Sequence, residues 1–439
     1  MKDSMAEDTA NREIGFWRGW SIAVGCAIGS GVFMMPTLLA PYGLLGLGGW
    51  LVAGAGTLLV ALSLSRLVKR VPKIGGPYAY VNAGLGNLAG FLIAWTYWIS
   101  CIAAVSGIAI AFVGYLGVFI PAVKSSSMLS LLVSLALVWS VIGMNIRSIE
   151  SSGTFQVVTT ALKILPLLFI IFLGFSNMQP DILPPVNPTD LHPFAVLATV
   201  TTLVMWSFIG IETATVPADN IYQPDKTIPK ILIASLLTVL IIYFLVSLAI
   251  ALVVPAEELV GSSAPFALAA TKVMGPVGGA IITTGALIST LGSLNANTLT
   301  AGQVPLAAAK DHLLPSRFLT LSRAGTPIFS FIVSGGFMTL LLVLNYTKGL
   351  VAAFTFMAML STLSTLTAYA FCAVSEFYFL KNDQAGPEKT RAIFLSGAAF
   401  LYSFFAIWGA GAEVVFYSFM LILLGMPFYA LVREEKRDP

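Results

Sequence analysis

Residues 16–41 read FWRGWSIAVGCAIGSGVFMMPTLLAP. One charge, Arg18, stands near the start, and every residue after it is apolar or small. A run of this length exceeds the roughly 20 residues that a helix needs to cross a bilayer core. At its centre lies Ile28-Gly29-Ser30-Gly31-Val32-Phe33, with two glycines around a serine. That cluster has two readings. The glycines let the backbone leave helical geometry and turn N–H groups toward an anion, or they let a second helix pack closely.

Eleven further apolar runs lie near 44–66, 88–121, 127–146, 152–175, 193–217, 230–254, 277–303, 326–347, 349–379, 392–410 and 413–432. Of the 439 residues, 57% are hydrophobic and 10% charged, against about 25% charged in an average soluble domain. The fold class is therefore an all-α polytopic membrane protein with about twelve transmembrane helices, since helices keep their backbone hydrogen bonds internal. Residues 14–432 form a single transmembrane domain, with tails at 1–13 and 433–439. Lysines and arginines sort between alternate loops. Nineteen fall in one set, from Lys2 through Arg66, Arg70, Lys226, Lys310 and Lys389 to Arg437, and three, Lys124, Lys272 and Lys348, in the other. The positive-inside rule then puts both tails in the cytoplasm.

Cys26, Cys101 and Cys372 all sit inside apolar runs and read as packing residues rather than a disulfide framework. His192 and His312 are far apart, so no metal site is expected. Residues 1–13 are polar and carry no cleavable signal pattern. No phosphate loop, metal cluster or nucleophile–base set appears, so the chain is not read as an enzyme, and no cofactor is expected. The loops are too short for a signalling domain, and no charged ring marks a channel.

The sixth run carries a second glycine break, Trp206-Ser207-Phe208-Ile209-Gly210-Ile211-Glu212-Thr213, five spans after the first. Paired interruptions at matching places in two half-repeats are the sequence cue for a midplane binding site. Charges inside the membrane are rare and are read first as functional. Here the two that stand out are Glu212 in the sixth span and Lys163 in the fifth. Glu212 is either a functional acid, suited to proton-coupled or pH-gated work, or a structural, permanently hydrogen-bonded one. Lys163 is either a titrating coupling group or a fixed cation that holds the broken helices together.

The order and spacing of several motifs resemble the amino acid–polyamine–organocation superfamily, and within it the bacterial basic amino acid/polyamine antiporters of the arginine/agmatine type. They are Gly29-Ser30-Gly31-Val32-Phe33, Gly75-Gly76-Pro77-Tyr78-Ala79-Tyr80, Trp206 through Glu212, Ser263-Ala264-Pro265-Phe266, Gly292-Ser293-Leu294, Ala301-Gly302-Gln303 and Gly325-Thr326-Pro327. The resemblance implies a five-plus-five inverted repeat with broken helices 1 and 6, alternating access, a homodimer and residence in the bacterial inner membrane. It places the substrate carboxylate on the backbone at Ser30 and Gly31, and the α-amine on carbonyls near Trp206 and Ile209. Cys101, Phe354, Ser361 and Asn297 take positions around the substrate side chain. Trp206 matches a middle gate and Tyr97, Glu212 and Tyr369 an inner gate, with Tyr78 on its cytoplasmic side.

This chain departs from the arginine/agmatine type at four points. Asn297 replaces a tryptophan that stacks on guanidinium, which removes a cation–π contact of about 1–2 kcal/mol when desolvated and argues against arginine. An amide there either hydrogen-bonds a polar side chain or simply packs. Cys26 and Val105 replace polar residues, and Lys163 stands where that type is apolar. The expected function is exchange of an amino acid for a related amine or amino acid. Proton-coupled symport of a neutral amino acid is the alternative that Lys163 raises. The expected partners are the small-molecule substrate, protons and the lipid bilayer, with no nucleic acid.

Overall fold

A computed structural model describes residues 15–71, 76–147, 149–210, 221, 223–322, 325–381 and 383–435. Glu212, most of the two tails and Gly75 lie outside the described residues, as does the side chain of Cys26. No β-strand forms among the described residues. The first predicted span is two helices, α1 (Phe16–Ala27) and α2 (Ser30–Leu39). After them come α3 (Gly43–Arg70), α4 (Pro77–Leu85), α5 (Asn87–Phe119), α6 (Ser127–Arg147) and α7 (Ile149–Ser176). The second half holds α8 (Pro193–Met205), α9 (Pro224–Ala251), α10 (Pro265–Lys310), α11 (Ile328–Asn345) and α12 (Leu350–Leu380). It ends with α13 (Pro387–Gly409), α14 (Ala412–Leu423) and α15 (Met426–Glu435).

Helix therefore overlies each of the twelve predicted ranges, in whole or in part. Nine helical stretches among the described residues are long and apolar enough to cross a membrane, and Lys163–Ser176 and Pro193–Phe208 are shorter apolar helices. Ser30–Arg70 counts once in that number because a three-residue 3-10 turn, Ala40–Tyr42, joins α2 to α3 without a gap.

Some boundaries differ from the hydropathy reading. The run predicted at 277–303 is a 46-residue helix that starts at Pro265 and bends at Gly275, where φ is +69°. Lys272 and the Gly275-Pro276 pair interrupt the apolar signal there, while helix continues on both sides. The last span, predicted as 413–432, divides into α14 and α15 at Leu424-Gly425.

The packing follows from two faces of opposite polarity. Large apolar side chains such as Leu165, Phe172, Leu344, Phe394 and Leu401 point outward, more than 60% exposed, whereas serines and threonines are buried in quantity. A water-soluble domain would reverse this; lipid rewards the outward apolar face. Helix α3 packs on α8, α9 and α13, and α5 packs on α10 and α12. Helix α1 lies against α9, and α7 against α10, so the two broken segments are held between these groups.

Candidate functional site

The first break is two residues wide. Ile28 is extended (ψ 98°) and Gly29 takes φ −137°, ψ −149°, after which Ser30 starts α2 with no side-chain cap. The first N–H groups of a helix have no partner within it, and here they open where α1 stops. Carbonyls at the end of α1 have the reverse need, and two donors meet it. Tyr243 of α9 donates its hydroxyl to the Ala27 carbonyl at 2.8 Å. Lys163 of α7 donates to the Gly25 carbonyl at 3.2 Å and is fully buried. A cation suits that position because the C-terminal end of a helix carries partial negative charge. The break is thus supplied with donors on its α1 side, and no side chain among the described residues caps its α2 side.

The second break is visible up to its turning point. Helix α8 ends at Met205, one 3-10 turn spans Trp206–Phe208, Ile209 is extended and Gly210 has φ +106°. The two breaks touch. A Cβ on Gly31 would lie 2.5 Å from Ser207 Oγ, 2.8 Å from Trp206 Cδ1 and 3.1 Å from Ser207 Cα, so only glycine allows this approach. Gly29 meets Ser293 of α10 as closely. The Ser30 and Ser207 hydroxyls are buried there with no hydrogen-bond partner among the described residues. Buried hydroxyls are normally paired, and two unpaired ones beside an uncapped helix start make a site able to receive an anionic group.

Trp206 roofs the junction. Its indole reaches Gly107 of α5 and stands edge-on to Phe354 of α12, with ring centroids 6.1 Å apart. Behind it, the Met205 sulfur receives hydroxyl contacts from Thr57 of α3 and Tyr402 of α13, each at 3.2 Å. The structure thus brings Gly31 against Trp206 and Phe354 against the Trp206 ring, with Ser30 the chain neighbour of Gly31 and Ile209 directly after the Trp206–Phe208 turn. Two hollows of about 400 and 440 Å³ lie away from the junction, beside Pro36 and Leu259 and beside Lys124 and Tyr346; Trp206 and Ser30 line neither.

Other predicted positions are placed differently. Ser361 shares its hydroxyl with Ser100 at 2.9 Å, and Ser100 also meets Thr365 at 2.7 Å, so Ser361 serves the α5–α12 contact. Cys101, next to Ser100, is buried. Asn297 donates to the Ser293 carbonyl of its own helix at 2.9 Å, and Ser293 rather than Asn297 reaches Gly29. Tyr369 is buried and Tyr97 half-buried. Tyr78 is buried in α4, and burial with the nearby Asp311 carboxylate pushes its phenol well above the usual tyrosine range.

Sequence reasoning missed three contributors. Tyr243 and Met205 are an aromatic and a thioether inside apolar helices, which give no signal of a polar task. Glu376, in α12, is a third intramembrane charge: it is fully buried, within 2.7 Å of Arg66, and stands near the C-terminal end of the predicted run 349–379.

Comparison with known proteins agrees with this architecture. Residues 14–429 match the amino acid permease family. The putrescine transporter PotE of Haemophilus influenzae is 26% identical over 407 residues, covering 92% of this chain and 93% of its own. The arginine/ornithine antiporter of Latilactobacillus sakei is 27% identical over 444 residues (98% and 92%). That of Pseudomonas aeruginosa is 28% identical over 442 residues (95% and 90%). With two touching helix breaks and a family match that spans nearly all of its length, the chain belongs to the amino acid permease family.

Proposed function

We propose that this protein is a secondary active transporter that exchanges an amino acid for a related amine or second amino acid across the bacterial plasma membrane by alternating access. The observation that carries the reading is the contact of the two breaks at Gly31 and Trp206–Ser207, beside a helix start with no side-chain cap and two buried hydroxyls with no partner among the described residues. Relatives named for putrescine transport and for arginine/ornithine antiport support exchange as the mode. In this reading twelve spans form a five-plus-five inverted repeat plus two, with both termini cytoplasmic on the charge bias of the loops.

The α2 N–H groups at Ser30 and Gly31 take a carboxylate, and the Trp206 and Ile209 carbonyls take an amine. Trp206 closes over the bound molecule from beside Phe354. Tyr97, Glu212 and Tyr369 form the inner gate, with Glu212 its proton-sensitive member. Lys163 acts as a fixed cation, supported by its seat on the Gly25 carbonyl. Cys101, Asn297 and Ser361 shape the side-chain end of the pocket at one remove.

The test is uptake of labelled putrescine, ornithine, arginine and neutral amino acids into proteoliposomes, with and without unlabelled substrate trapped inside. Exchange requires uptake to depend on internal substrate. Uptake into empty vesicles under an inward proton gradient would show symport instead.

A further inference from the structure

Glu376 carries a buried charge to which the exchange reading assigns no role. Its carboxylate gathers three helices. Ser63 of α3 donates to Oε2 at 2.6 Å and Ser396 of α13 donates to the same oxygen at 2.5 Å. Arg66 Nε of α3 lies 2.7 Å from Oε1, off the line of a well-aligned hydrogen bond, so this contact is an ion pair. A buried carboxylate is held only where its partners are fixed, because its removal from water must be offset by several donors at once.

Six residues along α3 from Ser63 is Thr57, and six residues along α13 from Ser396 is Tyr402. At 1.5 Å per residue both steps are about 9 Å. Thr57 and Tyr402 are the two hydroxyls on the Met205 sulfur, immediately before Trp206. Tyr402 also donates to the Ala53 carbonyl of α3 at 3.3 Å. Helices α3 and α13 are therefore tied twice, once through Glu376 and once through Met205, less than two turns apart. The lower tie sets the register in which the upper one holds the end of α8.

We propose that Glu376 is a positioning residue for transport: it locks α3 and α13 onto α12, so that Met205, and through it Trp206, stays at the junction of the two breaks. It touches no substrate. The proposal rests on the exchange reading for its transport consequence and on the fold alone for its structural one.

The experiment uses the full-length protein with Glu376→Gln and Arg66→Gln combined, which leaves no unpaired buried charge. Deuterium exchange is measured across residues 200–208, and exchange transport with whichever of putrescine, ornithine or arginine the unaltered protein carries. The proposal expects amide exchange at 200–208 to rise by about fivefold or more while α5 and α10 stay protected. It expects maximal transport to fall about tenfold at little-changed KM. Protection at 200–208 equal to that of the unaltered protein overturns the proposal, whatever the transport result. Restoration of full transport in the neutral pair also overturns it, since Glu376 would then only balance Arg66. Failure of the unaltered protein to exchange any probe overturns the exchange reading and leaves the deuterium result to decide this one. If the double variant does not fold, Ser63→Ala with Ser396→Ala removes two of the three contacts without exposing a charge, and unchanged protection there is equally fatal.

Discussion

Lys163 Nζ donates to the Gly25 carbonyl at 3.2 Å, so a cation from α7 rests on the C-terminal end of the first broken helix. Both partners are buried. Lys163→Met keeps the length of the side chain and removes the donor. An orphaned buried carbonyl costs about 1–3 kcal/mol, so the thermal midpoint of the purified protein should fall. If Lys163 is a fixed cation, as proposed, it is needed in every transport mode, and substrate exchange should fall about tenfold or more. A titrating coupling group behaves otherwise: exchange would persist and only proton-driven uptake would vanish. Counterflow measured beside gradient-driven uptake separates the two.

Gly31 admits no side chain. Alanine there would press on Trp206 Cδ1 at 2.8 Å and on Ser207 Cα at 3.1 Å, and the second of these is backbone that cannot rotate away. Overpacking of this kind costs about 1–3 kcal/mol, and at 1.4 kcal/mol per decade that weakens substrate binding by about 5–150-fold. Gly48→Ala is the matched control, since its nearest neighbour would be Leu197 Cδ2 at an ordinary 3.6 Å. Equal binding by Gly31→Ala and Gly48→Ala would show that the breaks separate before substrate enters.

What could be read in advance depended on whether a residue's role shows in its own chemistry. Gly29-Ser30-Gly31 alone leaves a break and close helix packing both open, and it is the second glycine interruption at Gly210, five spans on, that favours a break; Lys163 stands out because lipid excludes charge. Glu376 carries the same cue but stands near the C-terminal end of its apolar run, where a charge reads as a boundary. Its partners Ser63 and Arg66 are more than 300 residues away in sequence. Tyr243, Met205 and Tyr402 could not be found from type at all. Their roles come from which helices α9, α8 and α13 lie against, and that is a tertiary fact. Helix α10 extends past its predicted start because hydropathy follows lipid contact, whereas helix follows backbone geometry.

At the end of the bundle where α3 and α12 finish, Arg70 clasps Asp383 with both guanidinium arms, one bond at 3.1 Å and a shorter one beside it. The hydrogen bond from Arg70, aided by its charge and that of Lys389, holds the Asp383 carboxyl below its ordinary value. A carboxyl depressed in the folded state stabilises it above the unfolded pKa, and that contribution is lost as pH falls through the folded value. Asp383→Asn should therefore be slightly less stable than the unaltered protein from about pH 5 upward, with the gap closing below about pH 4. The pair is at the surface, so high salt should shrink the difference. Thermal midpoints across that range, at low and high salt, test it; a gap that persists in acid would assign the effect to packing.

Glu212 stands two residues beyond Gly210, inside a predicted span and outside the described residues. If Glu212 is the proton-sensitive member of the inner gate, as proposed, Glu212→Gln should flatten the pH profile of exchange. Substrate binding, proposed to rely on the α2 end and on Trp206, should change little. Exchange rates from about pH 5 to 8 and a binding isotherm at one pH measure both. An unaltered profile removes Glu212 from that role.

Trp206 and Phe354 meet edge-on at 6.1 Å, and both rings are buried. Aromatic pairs of this geometry contribute about 0.5–1.5 kcal/mol beyond their buried area. If Trp206 closes over substrate from beside Phe354, that contribution belongs to the closed state, and losing it should weaken apparent affinity by about 2–12-fold in Phe354→Ala. Trp206→Ala removes the roof itself and should cost more. Combining the two should cost little beyond Trp206→Ala alone, because residues in contact are not additive. Strict additivity in that double-mutant cycle would mean that the two rings act separately, and the closing motion would then need another partner for Trp206.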